Sequence, residues 1–237
     1  MLCAKIIVIE ERIVIHLIKN KIAYVPVPKN ACTSVKSFLY RLQNNREFQV
    51  FEAGHKKFHI HNVMPTKCYE QWSSTNTFSG VDKSNTFIFA VVRDPLSRLL
   101  SCYKNRVLFH NDIGKDKQAY KLCQQTGLSE KPDINTFVKN LDFYQRCCPS
   151  IQHHSRPQID YLGHNFNFYS KIYPTDKINS ELWNDLSDIV GESVPAPKIK
   201  LQTGGSQKNI DELTSENSLK IKRLYAADYK FIEVVLK

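Results

Sequence analysis

Apolar positions along the chain fall into two kinds of run. Short, unbroken and often β-branched runs occur at residues 22–27, 86–92 and 166–173, and each predicts a buried strand. Elsewhere the apolar positions recur at spacings of three and four. Val35, Phe38, Leu39 and Leu42 form one helical stripe, which ends at Asn44-Asn45-Arg46. Leu96, Leu99, Leu100, Tyr103 and Val107 form a second, opened by Asp94 as a cap and Pro95 in the first turn. The polar stripe of that helix is Ser97, Ser101 and Lys104. Asp133 caps a third helix bearing Ile134, Phe137, Val138 and Leu141. A fourth opens at Asn179 or Ser180, stacks Leu182, Leu186 and Ile189, and stops at Gly191. The last begins near Thr214 or Ser215 and runs through Ile221, Leu224 and Tyr225.

Residues 4–9 and 12–18 predict a β-hairpin turning at Glu10-Glu11, while 47–85 and 109–132 are polar connections. Strands alternating with helices predict an α/β fold with a mostly parallel central sheet flanked by helices. No repeat, low-complexity tract or linker divides residues 1–237, so the expectation is a single domain.

The sharpest chemistry lies where the first strand gives way to the first helix. The turn 28–34, Pro-Lys-Asn-Ala-Cys-Thr-Ser, aims free backbone N–H groups and a positive helix end at one spot. Lys29, Thr33, Ser34 and Lys36 add donors and charge there, which suits a phosphate or sulfate. The glycines of a Walker A loop are absent.

Composition changes this picture modestly. Hydrophobic content of 42% and charged content of 24% over 237 residues are ordinary for a globular protein with a full core. A net charge of +10 favours an anionic partner, and the scattered lysines make nucleic acid a minor alternative. Seven cysteines with no C-x-x-C pair give neither a zinc ribbon nor a redox motif, and imply a reducing compartment. The apolar start is broken by Lys5, Glu10, Glu11 and Arg12, and no stretch reaches the length of a membrane span. The expectation is therefore a cytoplasmic protein.

A second motif follows the 86–92 strand: Val92-Arg93-Asp94-Pro95-Leu-Ser-Arg98-Leu-Leu-Ser101-Cys-Tyr103. It resembles the 3′-phosphate motif of sulfotransferases that use 3′-phosphoadenosine 5′-phosphosulfate (PAPS). The turn 28–34 resembles their 5′-phosphosulfate loop. The relatives implied are carbohydrate sulfotransferases of the Golgi type and compact bacterial cousins, with a P-loop-NTPase-like fold. His-x-x-Pro-Gln at 154–158 and Tyr225-Ala-Ala-Asp228-Tyr229 resemble later segments of the same family.

The resemblance implies sulfuryl transfer from PAPS to a hydroxyl, with a carbohydrate as acceptor and no metal. Lys29 would neutralise the leaving phosphate. Backbone N–H groups of Asn30, Ala31, Cys32, Thr33 and Ser34 would hold the 5′-phosphate, with Arg93 and Ser101 on the 3′-phosphate. A contact from Thr203, Ser206 or Lys208 would close over the nucleotide. The catalytic base is expected at His61 or His59, between the two motifs, because an ordinary imidazole titrates near neutrality; His154 is the next candidate. Three alternatives stand beside this reading: a metal cluster of His55, His59 and His61; a nucleoside-phosphate kinase with a degenerate loop; and a non-catalytic module binding anionic glycan or nucleic acid.

Overall fold

The computed structural model describes residues 12–17, 21–64, 67–69, 83–196 and 213–236. In chain order these form strands β1 (Arg12–Leu17) and β2 (Ile22–Val25), then helix α1 (Cys32–Asn44). A small hairpin, β3 (Phe51–Ala53) and β4 (Lys56–Phe58), leads into α2 (Ile60–Val63), β5 (Lys67–Tyr69) and β6 (Phe87–Val92). Helix α3 (Pro95–Cys102) continues as a π-helix over Tyr103–Phe109. Six helices follow: α4 (Asp112–Lys115), α5 (Lys117–Thr126), α6 (Ile134–Lys139), α7 (Leu141–Cys147), α8 (Pro149–Ser155) and α9 (Ile159–Leu162). The chain ends with β7 (Lys171–Pro174), α10 (Trp183–Val190), α11 (Ser215–Leu224) and α12 (Ala226–Val235).

Five strands make one sheet in the order β5-β1-β2-β6-β7. The pairs β2–β6 and β6–β7 are parallel, whereas β1 runs antiparallel to both β2 and β5. Alternation along β2 and β6 divides the core between two faces. Ile22, Tyr24, Phe89 and Val91 pack with Val35, Phe38 and Leu39 of α1 and Trp183 and Leu186 of α10. Ala23, Val25, Ile88, Ala90 and Val92 face Leu162, Phe168 and Phe231. Both faces are covered, so these strands read as continuous apolar runs. A third apolar cluster joins α3 to α5, α6, α7 and α8, with Ile221 and Tyr225 packed against it.

Several expectations shift. The strand predicted over 166–173 is a 3₁₀ turn at Phe166–Phe168 followed by β7. Ladder pairing with β6 begins only at Lys171, opposite Phe89. The second half of the predicted N-terminal hairpin is β1, whose described partners are β2 and β5; residues 4–9 lie outside the described residues. The polar stretch 109–132 contains α5, which buries Ala119 and Cys123. Asn140 breaks the helix predicted through Leu141 into α6 and α7. Ile189 and Leu224, both on predicted apolar stripes, are exposed at helix ends. The helix expected to open at Asn179 or Ser180 instead begins as a π-turn over Ile178–Leu182 running into α10, with no side-chain cap on either, while the other caps come out as expected. The carboxylates of Asp94 and Asp133 accept from first-turn N–H groups, as does the Thr214 hydroxyl, and Gly191 closes α10 at φ 73°.

Candidate active site

The turn between β2 and α1 owes its shape to two residues in left-handed backbone, Lys29 (φ 71°) and Ala31 (φ 55°). Such conformations cost about 1–3 kcal/mol each for non-glycine residues and persist only where surroundings enforce them. Here three successive carbonyls are tied down. Val27 O accepts from the Asn30 N–H at 3.2 Å, Pro28 O from Arg98 Nε at 3.0 Å, and Lys29 O from Arg93 Nη1 at 3.2 Å. Helix α1 has no side-chain cap at its start. The first-turn N–H groups of Cys32, Thr33 and Ser34 lack partners within the helix and so remain anion-binding donors.

Lys29 and Asn30 point opposite ways. Asn30 is wholly buried, and its Nδ2 donates to Val91 O at 2.8 Å and Gln158 Oε1 at 2.5 Å. Gln158 completes a clamp: its Oε1 also accepts from the Arg93 N–H at 3.1 Å, and its Nε2 donates to Arg93 O at 2.8 Å. Asp228 on α12 locks Gln158 in turn, accepting from the N–H groups of Gln158 at 2.8 Å and Ile159 at 2.9 Å. Burial raises the Asp228 carboxyl above its usual range, against the pull of those N–H groups. Arg98, 1% exposed, spans the same layer, with Nη1 donating to Arg156 O at 2.7 Å. One clamp thus fixes the turns after β2 and β6 side by side at the carboxyl ends of two parallel strands, the usual place for a ligand in such sheets.

The cleft side is crowded with cations. Lys29 Nζ donates to Asn105 Oδ1 at 2.9 Å. Burial pulls its ammonium down to about 8, with the Cys102 thiol opposing and Arg106 and Arg93 adding to the fall. Lys36, buried one turn into α1, is lowered by its burial too. His61 on α2 sits with Nε2 3.0 Å from Thr33 Oγ1. Although exposed as a residue, its imidazole is brought down to about 4 by the protein packed around it, then by the charges of Lys36, Arg106, His59 and Lys29. His154 falls to about 3 through burial and then Arg106. Its Nδ1 lies 2.8 Å from Ser150 O, so that nitrogen carries the proton and Nε2 is the acceptor. Both imidazoles are neutral at physiological pH, well below the near-neutral titration expected of a base. Asp112 offsets part of the charge, 3.5 Å from Arg106 and 2.5 Å from the Ser150 hydroxyl.

Of the residues singled out from sequence, Lys29, Thr33, His61 and Arg93 are brought together. Ala31, Cys32 and Ser34 line the same turn, half-buried. Asn30 does not face the cleft, since its N–H and its amide are engaged in the fold. Ser101 lies half-buried two turns along α3, and no hydrogen bond joins it to Arg93. His59 begins α2, where its N–H donates to Asn62 Oδ1 at 3.0 Å, and the turn 28–34 is reached by His61 instead, at Thr33. Thr203, Ser206 and Lys208 lie outside the described residues. Among the described residues, no group of three or more His, Cys, Asp or Glu is placed to hold a metal, and no helix is long and apolar enough to cross a membrane. Sequence reasoning did not identify the roles of Gln158, Asn105 and Arg106. Gln158 and Asp228 stood inside quoted segments, but partners 65 and 70 residues apart leave no local signal.

Two strand-end turns, an uncapped helix start and converging cations form a site suited to an anion. A family model described as the sulfotransferase family matches residues 15–232, and the chain belongs to that family. No curated protein and no solved structure matches the chain significantly.

Proposed function

We propose that the protein moves a sulfuryl group from PAPS to a hydroxyl of a carbohydrate acceptor, with residues 1–237 working as one domain. One observation carries this reading. Lys29 and Arg93 meet at adjacent strand ends, joined by the Arg93 guanidinium on the Lys29 carbonyl at 3.2 Å, beside the free first turn of α1. The residues present suit such a donor. N–H groups of Cys32, Thr33 and Ser34 take the 5′-phosphate, with the Thr33 and Ser34 hydroxyls assisting. Arg93 meets the 3′-phosphate with a forked, charge-assisted pair, and Ser101 adds a hydroxyl. The carbohydrate acceptor rests on the resemblance of the two motifs.

In the transfer, the bond from sulfur to the bridging phosphate oxygen breaks as the bond to the acceptor oxygen forms. Adenosine 3′,5′-bisphosphate departs. Lys29 meets the charge growing on the bridging oxygen, and His61 accepts the acceptor hydroxyl's proton. Thr33 links the two halves of the site, because its hydroxyl belongs to the donor loop and touches the His61 ring at 3.0 Å. No metal enters this scheme.

Thermal unfolding with adenosine 3′,5′-bisphosphate, ATP or heparin tests the reading, since a ligand at a hundred times its Kd stabilises the native state by about 2.7 kcal/mol. The bisphosphate should raise the midpoint most, and its release from PAPS should depend on added saccharide. A larger rise with ATP would favour a kinase. A rise with heparin alone, and no turnover, would favour a binding module.

A further inference from the structure

The π-helix after α3 is the least expected element beside the cleft. An α-helical continuation would keep Lys104 on the polar stripe of Ser97 and Ser101. Over Tyr103–Phe109 the helix widens instead, and the His110 N–H reaches five residues back to Asn105 O at 2.9 Å. Asn105, one turn on from Ser101, stands on the cleft side at this widened turn. Asn105 is 4% exposed, and its Oδ1 accepts from Lys29 Nζ at 2.9 Å. π-turns of this kind recur at functional sites.

The surroundings of Lys29 explain why such a hold is needed. Arg93 after β6 and Arg106 on the π-helix repel its ammonium, and the Cys32 and Cys102 thiols face it from α1 and α3. His61, His110 and His154 also feel its charge, and none is a carboxylate that could anchor it. A long lysine side chain in that field gains nothing from staying at one point unless an acceptor fixes it. A carboxylate there would fix it as an ion pair and neutralise it. An amide oxygen fixes it and leaves the whole positive charge for an incoming anion.

We infer that Asn105 is a positioning residue that holds the Lys29 ammonium, fixed but not neutralised, at the point where the leaving oxygen gathers charge. This inference rests on the sulfuryl-transfer reading for its last clause, whereas the hold on Lys29 is testable without it. The burial that lowers Lys29 to about 8 separates its titration from that of ordinary lysines.

The experiment is ¹³C NMR titration of lysine labelled at Cε, with Lys29→Met identifying the signal, on wild type, Asn105→Leu and Asn105→Asp. Thermal unfolding checks that each variant is folded, and Asn105→Ala serves if Asn105→Leu is not. Losing the acceptor removes a bond to the charged form, so Asn105→Leu should lower the Lys29 titration by about one unit. Asn105→Asp should raise it by about one to three units. Single-turnover rates with PAPS should show the alkaline limb moving in the same directions, with Asn105→Asp slower at its plateau because the charge is now paired. A Lys29 titration that stays in place in both variants overturns the hold. A titration that moves while the alkaline limb stays overturns its role in transfer. If wild type never turns PAPS over, the parent reading fails while the Asn105 contact stands on the titration alone.

Discussion

Lys29 and Asn30 are neighbours in one turn and belong to two different regions. Asn30 enters a buried layer, shared with Arg98 and Asp228, in which Gln158 holds the backbone of the turn after β6 and Asp228 holds Gln158. Lys29 enters a cleft layer of cations and neutral imidazoles, where Asp112 is the carboxylate paired with Arg106. The lower layer ties the two turns together through hydrogen bonds, although Asn30 Oδ1 and Arg98 Nη2 stay buried without a hydrogen-bond partner, and the upper presents its cations to the cleft. Buried polar groups that find every partner hold shape, whereas donors and charges without acids opposite them await an anion. The left-handed backbone at Lys29 and Ala31 separates the two fates within three residues.

If that division is right, substitutions should sort by layer. The largest effects belong above. His61→Ala should cut turnover by about 10²–10⁴ and leave nucleotide affinity intact, as for a lost general base. Lys29→Met should cost about 10²–10³ in turnover and weaken donor binding as well. Single-turnover rates beside calorimetry of the bisphosphate check both, with unfolding midpoints near wild type. Near-normal rates for His61→Ala would move the base to His154, whose Nε2 is the free acceptor.

Below, the effect should be on stability. Gln158→Leu strands the Arg93 N–H and one of the two bonds of the buried Asn30 amide, and unsatisfied groups of this kind cost about 1–3 kcal/mol. For a chain of this size that is roughly 2–4 °C of Tm per kcal/mol. A Gln158→Leu protein with an unchanged midpoint and lost activity would erase the distinction between the layers.

The smallest effect is a position on the pH axis. His61 must be neutral to accept a proton, a condition met above about 4; Lys29 must be protonated, a condition met below about 8. Because kcat/KM reports groups of the free enzyme, its profile should be flat from pH 5 to 7 and fall as pH rises through about 8. An acidic limb centred near the ordinary imidazole value of about 6.5 would mean that neither burial nor the cations around His61 act on it.

Much of the upper layer was legible in the sequence, because it is local. The turn 28–34 and the Arg93–Ser101 segment each carry their charge, hydroxyls and helix start within a dozen residues, and caps such as Asp94 and Asp133 announce themselves one turn ahead. The lower layer was not, because its meaning lies in pairs far apart. Nothing near Gln158 indicates that it touches Asn30, 128 positions earlier. The π-turn escaped for another reason: Leu99, Leu100, Tyr103 and Val107 fit an α-helical stripe, and the widening shows only in the bond from His110 to Asn105. The low titration of His61 likewise comes from burial by other elements, and then from charges on them, Lys36 on α1 and Arg106 on the π-helix. The sequence favours His61 over His59 as the base, and folding brings the His61 ring against Thr33.

The central claim is that the upper layer reads a nucleotide by both ends, with the turn 28–34 on one phosphate and Arg93 on the other. Calorimetric titration of wild type and Arg93→Lys with adenosine 3′,5′-bisphosphate and adenosine 5′-monophosphate addresses it directly. A charge-assisted hydrogen bond is worth about 1.5–3 kcal/mol, so the bisphosphate should bind wild type about ten- to a hundredfold more tightly. Arg93→Lys should remove most of that advantage and leave the monophosphate nearly unaffected. Equal affinity of wild type for the two nucleotides, or equal losses of both in Arg93→Lys, would contradict the account.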